Sequence, residues 1–173
     1  YGADALRFGT MRSAPLGADV LFDEKDVELG RNFCNKLWNA SRFVLIHREG
    51  YEPAPVGDDE LAFEDRWSLS RLATVSGQVT EAFESYRFAE ACRTLYDFAW
   101  DEFCSFYVEM AKARFQDDQA APVARRVLAH ALDQLLRLLH RRGVGALRGL
   151  RVHPVWCERQ PLRPRDVSRR RHQ

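Results

Sequence analysis

Four long stretches of this chain set apolar side chains three and four residues apart, and no strand-like alternation of useful length competes with them. Leu29, Phe33, Leu37, Ala40 and Val44 recur as one face of a helix running from Asp26 to His47. Leu72, Val75, Val79 and Phe83 do the same in a second helix, from Leu61 or Asp65 to Ser85. A third, Tyr86 to Phe115, carries Phe88, Cys92, Leu95, Ala99, Phe103, Phe106 and Met110, with a kink expected near Trp100. A fourth opens around Pro122, a residue suited to a first helical turn, and turns Leu128, Leu132, Leu135 and Leu139 inward. Such stripes leave water only by packing on one another. Four of them, joined by one long and one short loop, predict an all-α fold, an antiparallel helical bundle.

The remaining segments are short. "YGADALRFGTMRSAP" reads as a brief helix with Leu6, Phe8 and Met11 partly buried, and Val20 to Phe22 as an extended connector. Residues 49–60 hold two Pro, two Gly and five acids, and read as a loop. At 173 residues the chain is long enough for one domain with a sizeable core. It has no apolar run near the ~20 residues a membrane span requires, and nothing at its start resembles a signal peptide. It begins at Tyr1 without Met, so an interior piece of a longer protein is expected. Its four Cys show no Cys-x-x-Cys spacing and its five His do not join them, so reduced thiols in a cytoplasmic protein and no metal are expected. The acids Asp97, Asp101, Glu102 and Glu109 read as a solvated helix face.

The net charge of +1 conceals a split. Residues 1–140 hold 16 basic and 23 acidic groups, whereas residues 141–173 hold 10 Arg and two acids. All eleven Phe precede residue 116, and the last 33 residues contain no Lys. That segment, 141–173, shows no helical or strand period and is expected to be a disordered, Arg-rich tail.

The helix that begins at Asp26 has an unusual outer side. At 100° per residue its apolar stripe falls within ~80°, and opposite lie Arg31, Asn35, Trp38 and Arg42. Beside that row lie Asn32, Lys36, Asn39 and Phe43, with no acid after Glu28. Arg and Lys attract phosphates, Asn offers a donor and an acceptor to base edges, and a ring stacks with an unpaired base. Single-stranded RNA loops are read by this combination. The alternative is a protein contact, or Trp38 and Phe43 packed beneath the 49–60 loop. No glycine-rich phosphate loop, nucleophile elbow or Ser/His/Asp arrangement is present, so no catalytic residue is assigned.

Several segments resemble the valyl-tRNA synthetase family, class I aminoacyl-tRNA synthetases. "YGADALRF" is similar to the segment after that family's KMSKS signature, and "RNFCNKLWNASRF" to the first helix of its anticodon-binding domain. "DRWSLSRL", "YRFAEACRTLYDFAWDEFCSFYVEMAK" and "LLRLLH" resemble its next three helices, so that the likeness covers residues 1–140. The resemblance implies a parent enzyme that attaches valine to tRNA using ATP with Mg, and whose catalytic signatures lie outside this chain. Residues 1–25 would be the end of the catalytic half's connecting region, and 26–140 the anticodon-binding bundle. The chain alone would be inactive, monomeric and free of cofactor, its partners the anticodon arm of tRNA(Val) and the catalytic half of the same enzyme. By the same resemblance Arg42, Phe43 and Lys25 contact the anticodon loop, with Lys36 and Asn39 assisting. The equivalent domain of isoleucyl-tRNA synthetase is the neighbouring alternative. Past His140 the likeness stops. The family continues with a Pro-Phe segment, whereas here the text reads "RRGVGALRGLRVHPVW". A reading-frame shift in a GC-rich gene is the expectation, tested by translating the other two frames.

Overall fold

A computed structural model describes residues 1–14, 17, 19–47, 51, 54 and 56–141. Of the tail expected at 141–173, Arg141 is instead the last residue of a helix, and the remainder, with Cys157, lies outside the described residues. The described chain is helical, without strands: α1 (Ala3–Ser13), α2 (Glu24–Ile46), α3 (Phe63–Glu84), α4 (Phe88–Asp97), a π-helical segment (Phe98–Tyr107), α5 (Val108–Arg114) and α6 (Ala121–Arg141). Residues 88–114 form one rod, because the junction residues Phe98 and Val108 keep right-handed helical dihedrals.

Local chemistry sets the helix ends. Asp23 is extended and its carboxylate accepts from the Lys25 amide at 2.9 Å, while Glu24 and Asp26 place negative charge in the first turn of α2. At the other end of α3 the Arg87 amide reaches back to Ala82 O (2.7 Å) and the Tyr86 amide to Phe83 O (3.1 Å). That Schellman pairing requires a left-handed residue, and Tyr86 supplies it with φ 59° although glycine is the usual occupant. The resulting reversal folds α4 back along α3.

One core runs through the bundle. Phe33, Leu37, Ala40 and Val44 of α2 meet Leu72, Val75, Val79 and Phe83 of α3, the Cys92, Leu95, Ala99 and Phe103 stripe, and Leu128, Leu132, Leu135 and Leu139 of α6. Leu29 of the expected α2 stripe is only partly buried. α1 joins the same core through Phe8, whose ring stacks on Phe33 at 4.3 Å. Leu6, expected to be partly buried, is exposed, and Met11 is half-buried.

The third stripe departs from its expected course. Phe106 is 63% exposed, and Tyr107 is fully buried in its place. The cause is the π segment. Turns closed from i to i+5 take in roughly one more residue than α turns, so the buried face is delayed by one position. Ser105 follows the wider turn, its hydroxyl donating to Trp100 O, five residues back, at 2.7 Å.

Burial pushes the thiols up from their ordinary 9.0, Cys34 and Cys104 to about 11 and Cys92 to about 12. Tyr107 is also raised, first by burial and then by the Asp65 carboxylate. The unfolded chain therefore releases these protons at lower pH than the folded one. Their contribution to stability is full below pH 9.0 and is lost as pH rises through the folded values. Urea unfolding at about pH 8 and about pH 10.5 should show a lower midpoint at the higher pH; equal midpoints would contradict it.

Candidate nucleic-acid interface

α2 carries the outer side on which the sequence placed its polar and aromatic residues. Asn32, Asn35, Trp38, Asn39 and Arg42 are exposed along it. Arg31 is tied to its own helix, 3.0 Å from Glu28 and 3.1 Å from Asn32 Oδ1, and lies 5.3 Å from the Tyr1 ring. From Arg31 to the end of α2 no acidic side chain interrupts this side.

The five expected contact residues fare differently. Arg42 and Asn39 are exposed, and neither side chain has a hydrogen bond or ion pair among the described residues. Lys25 is likewise exposed, and it stands in the first turn of α2, which opens at Glu24 rather than at the expected Asp26. At 1.5 Å per residue it lies ~25 Å along the helix from Arg42. The structure thus does not gather Lys25 with Arg42, and only a ligand running the length of α2 reaches both.

Lys36 is occupied. Its ammonium donates to Ser105 Oγ at 2.7 Å and sits 4.0 Å from the Trp100 ring centroid. Trp100 in turn stacks on Tyr96 at 5.5 Å. Lys36 therefore fastens α2 to the π segment.

Phe43 is half-buried in an aromatic cluster at the C-terminal end of α2. The His47 ring lies 4.2 Å away, Phe115 5.7 Å, and the Lys112 ammonium 5.4 Å from the ring centre. His47 Nδ1 is 2.9 Å from Phe43 O, so it must be the protonated ring nitrogen there.

The sequence reading passed over a second polar arrangement. The Asp65 carboxylate, fully buried, accepts from Tyr107 Oη, Arg114 Nη1 and the Ala62 amide. A helix-opening Asp gives no sign in sequence of such depth, and its partners lie 42 and 49 residues away. Glu102, expected to be merely solvated, accepts from two nitrogens of Arg71, Nε at 2.7 Å and Nη2 at 2.6 Å. No group of three or more His, Cys, Asp or Glu among the described residues is placed to hold a metal ion. The thiols, held protonated by burial, are poor nucleophiles. No described helix is long and apolar enough to cross a membrane.

Comparison with known proteins points in one direction. Residues 65–140 match the family described as "Anticodon-binding domain of tRNA ligase". That match covers α3 to α6 and begins after α2. The valine–tRNA ligase of Rhodopirellula baltica is 61% identical over 113 residues, 65% of this chain and 11% of that protein. Those of Legionella pneumophila (strain Lens) and Mycolicibacterium paratuberculosis are 47% identical over 146 residues and 48% over 140, each spanning 81% of this chain and 16% of theirs. These relatives favour the valine enzymes over the isoleucine alternative. The chain spans no more than about a sixth of their length. Over its last five helical elements the chain is thus similar to the anticodon-binding domain of tRNA ligases, and across most of its length to a part of the valine–tRNA ligases.

Proposed function

We propose that this chain receives the anticodon arm of a valine tRNA within an enzyme that joins valine to that tRNA. The family match over 65–140, with the valine–tRNA ligase identities, carries the reading. The acid-free outer side of α2, with Arg42 unpaired, supports it and supplies the physics. The chain's part is binding rather than bond making. ATP and Mg belong to the catalytic half of the parent, which is the second partner, and the whole works as a cytoplasmic monomer. Arg42 and, at the far end of α2, Lys25 meet phosphates or base edges, and Asn39 lends a donor and an acceptor.

A protein contact is the second reading, and the exposed Leu45 and Ile46 at the end of α2 favour it. Salt separates the two. Titrating a labelled anticodon-arm hairpin with the chain should give an affinity that falls steeply as salt rises, whereas an apolar contact would scarcely change. The Arg42→Ala variant should bind more weakly and reduce the slope of log K against log salt by about 1. Binding and slope equal to those of the original chain would remove Arg42 from the interface.

A further inference from the structure

Among the described residues, every half-buried arginine meets a carboxylate or lies over an aromatic ring, with one exception. Arg31, Arg71, Arg87, Arg114 and Arg137 form ion pairs. Arg12 lies over the Tyr96 ring and Arg125 over that of Phe115. Arg126, in the second turn of α6, has neither kind of partner among the described residues. A guanidinium drawn partly out of water loses hydration, and without a counter-ion nothing in the fold restores it.

Arg126 borders a cavity of about 200 Å³ between α6, α3 and the loop that precedes α3. Val127 of α6 is buried, and Leu69 of α3 and Val56 of the loop pack against the core; together they give the cavity apolar walls. His130 stands one helical turn beyond Arg126 on the same side of α6, exposed at the rim. No carboxylate of the described residues lines the cavity, and Asp133, the acid nearest along α6, is engaged by Arg137 at 2.6 Å. Water filling this space would satisfy Arg126 but leave the walls wet, and an apolar molecule would do the reverse. A molecule with an anionic end and an apolar body satisfies both. The volume falls below the ~300–1,000 Å³ of pockets for drug-sized ligands, so the body is small.

We propose that this cavity is a binding site for a small organic carboxylate, its acid group carried on one ring or a short aliphatic chain. The carboxylate pairs with the Arg126 guanidinium, whose planar fork matches it, and accepts a hydrogen bond from the His130 ring. The apolar body lies against Val56, Leu69 and Val127. The site is on the α3–α6 side of the bundle and stands independently of the RNA-binding reading.

The test uses the 173-residue chain, with benzoate and hexanoate as probes and ligand-observed NMR as the readout. Saturation should transfer from the protein to benzoate, and the methyl signals of Leu69 and Val127 should shift as it is added. Benzamide, the neutral isostere, should do neither at the same concentration. Arg126→Gln, with unaltered helical circular dichroism, should weaken benzoate binding roughly 10- to 150-fold, the loss expected for a hydrogen-bonded charged partner. Arg126→Lys should recover part of it, and Arg66→Gln, which removes an exposed cation of α3, should change nothing. No binding of either probe at tens of millimolar overturns the proposal. Benzamide binding as well as benzoate would leave only an apolar hollow, and equal weakening by Arg66→Gln would leave only general charge attraction; either result overturns it. Binding that appears only in the Glu49→Gln/Glu52→Gln double variant would assign the loop's own carboxylates as the partner of Arg126 and overturn it too.

Discussion

Replacing Asp65 by Ala should destabilise the chain by about 3–5 kcal/mol, as expected for removing one partner of a buried ion pair. The carboxylate is fully buried yet well provided for. Tyr107 Oη and Arg114 Nη1 each donate to Oδ1 at 2.7 Å, Arg114 also lies 2.7 Å from Oδ2, and the Ala62 amide donates to Oδ2 at 3.1 Å. Without it, a tyrosine hydroxyl is stranded in the core. Arg114, whose side chain is only 14% exposed, keeps just Glu64, at 3.5 Å. The first turn of α3 also loses the carboxylate that holds its N-cap amide. Tyr107→Phe leaves the ion pair intact and should cost only about 0.5–1.5 kcal/mol. Arg114→Met should be less harmful in the Asp65→Ala background than alone, because it removes a charge that no longer has its partner. Urea denaturation followed by circular dichroism measures all of these. A loss under about 1 kcal/mol for Asp65→Ala would mean that the network is not formed.

The second large effect is expected at Gly30. A methyl group there would overlap the Ala5 carbonyl oxygen of α1, and one at Gly9 would overlap the Asp26 carbonyl of α2. The two helices meet backbone to backbone at reciprocal glycines. Because the obstructing atoms are main chain, no change of rotamer relieves the clash. Gly30→Ala must push α1 off α2 and withdraw Phe8 from its stack on Phe33, near Tyr96. Loss of a buried phenylalanine costs about 3–5 kcal/mol, and the variant should lose a comparable amount. Hydrogen exchange should show α1 amides unprotected while those of α6 remain slow. Gly77→Ala is the control of opposite sign. Its methyl would meet open space on the exposed side of α3, so it should stabilise by about 0.5–1 kcal/mol. A Gly30→Ala chain as stable as the original, with α1 still protected, would rule out the close crossing.

Much of the bundle was legible in order and in facing. The stripes of α3 and α6 are buried residue for residue, because a helix of fixed period commits its side chains to directions that local sequence already sets. The third stripe was legible only as far as Phe103. A wider π turn changes that period, and composition does not announce where one forms. The outer side of α2 could be read as polar and aromatic. Which of its members remain free could not, since Lys36 is claimed by Ser105, 69 residues away, and Phe43 by Phe115.

Sequence alone therefore determined the all-α architecture, the buried face of most helices and the family likeness, all of which rest on spacing within a few turns or on matched segments. The folded chain decided that Asp65 is a core anchor, that two glycines are a helix crossing, and that Lys36 fastens α2 to the π segment. Those outcomes depend on which surfaces meet across tens of residues, and a hydrogen bond or a clash is settled by distances of a few ångströms that no local period encodes.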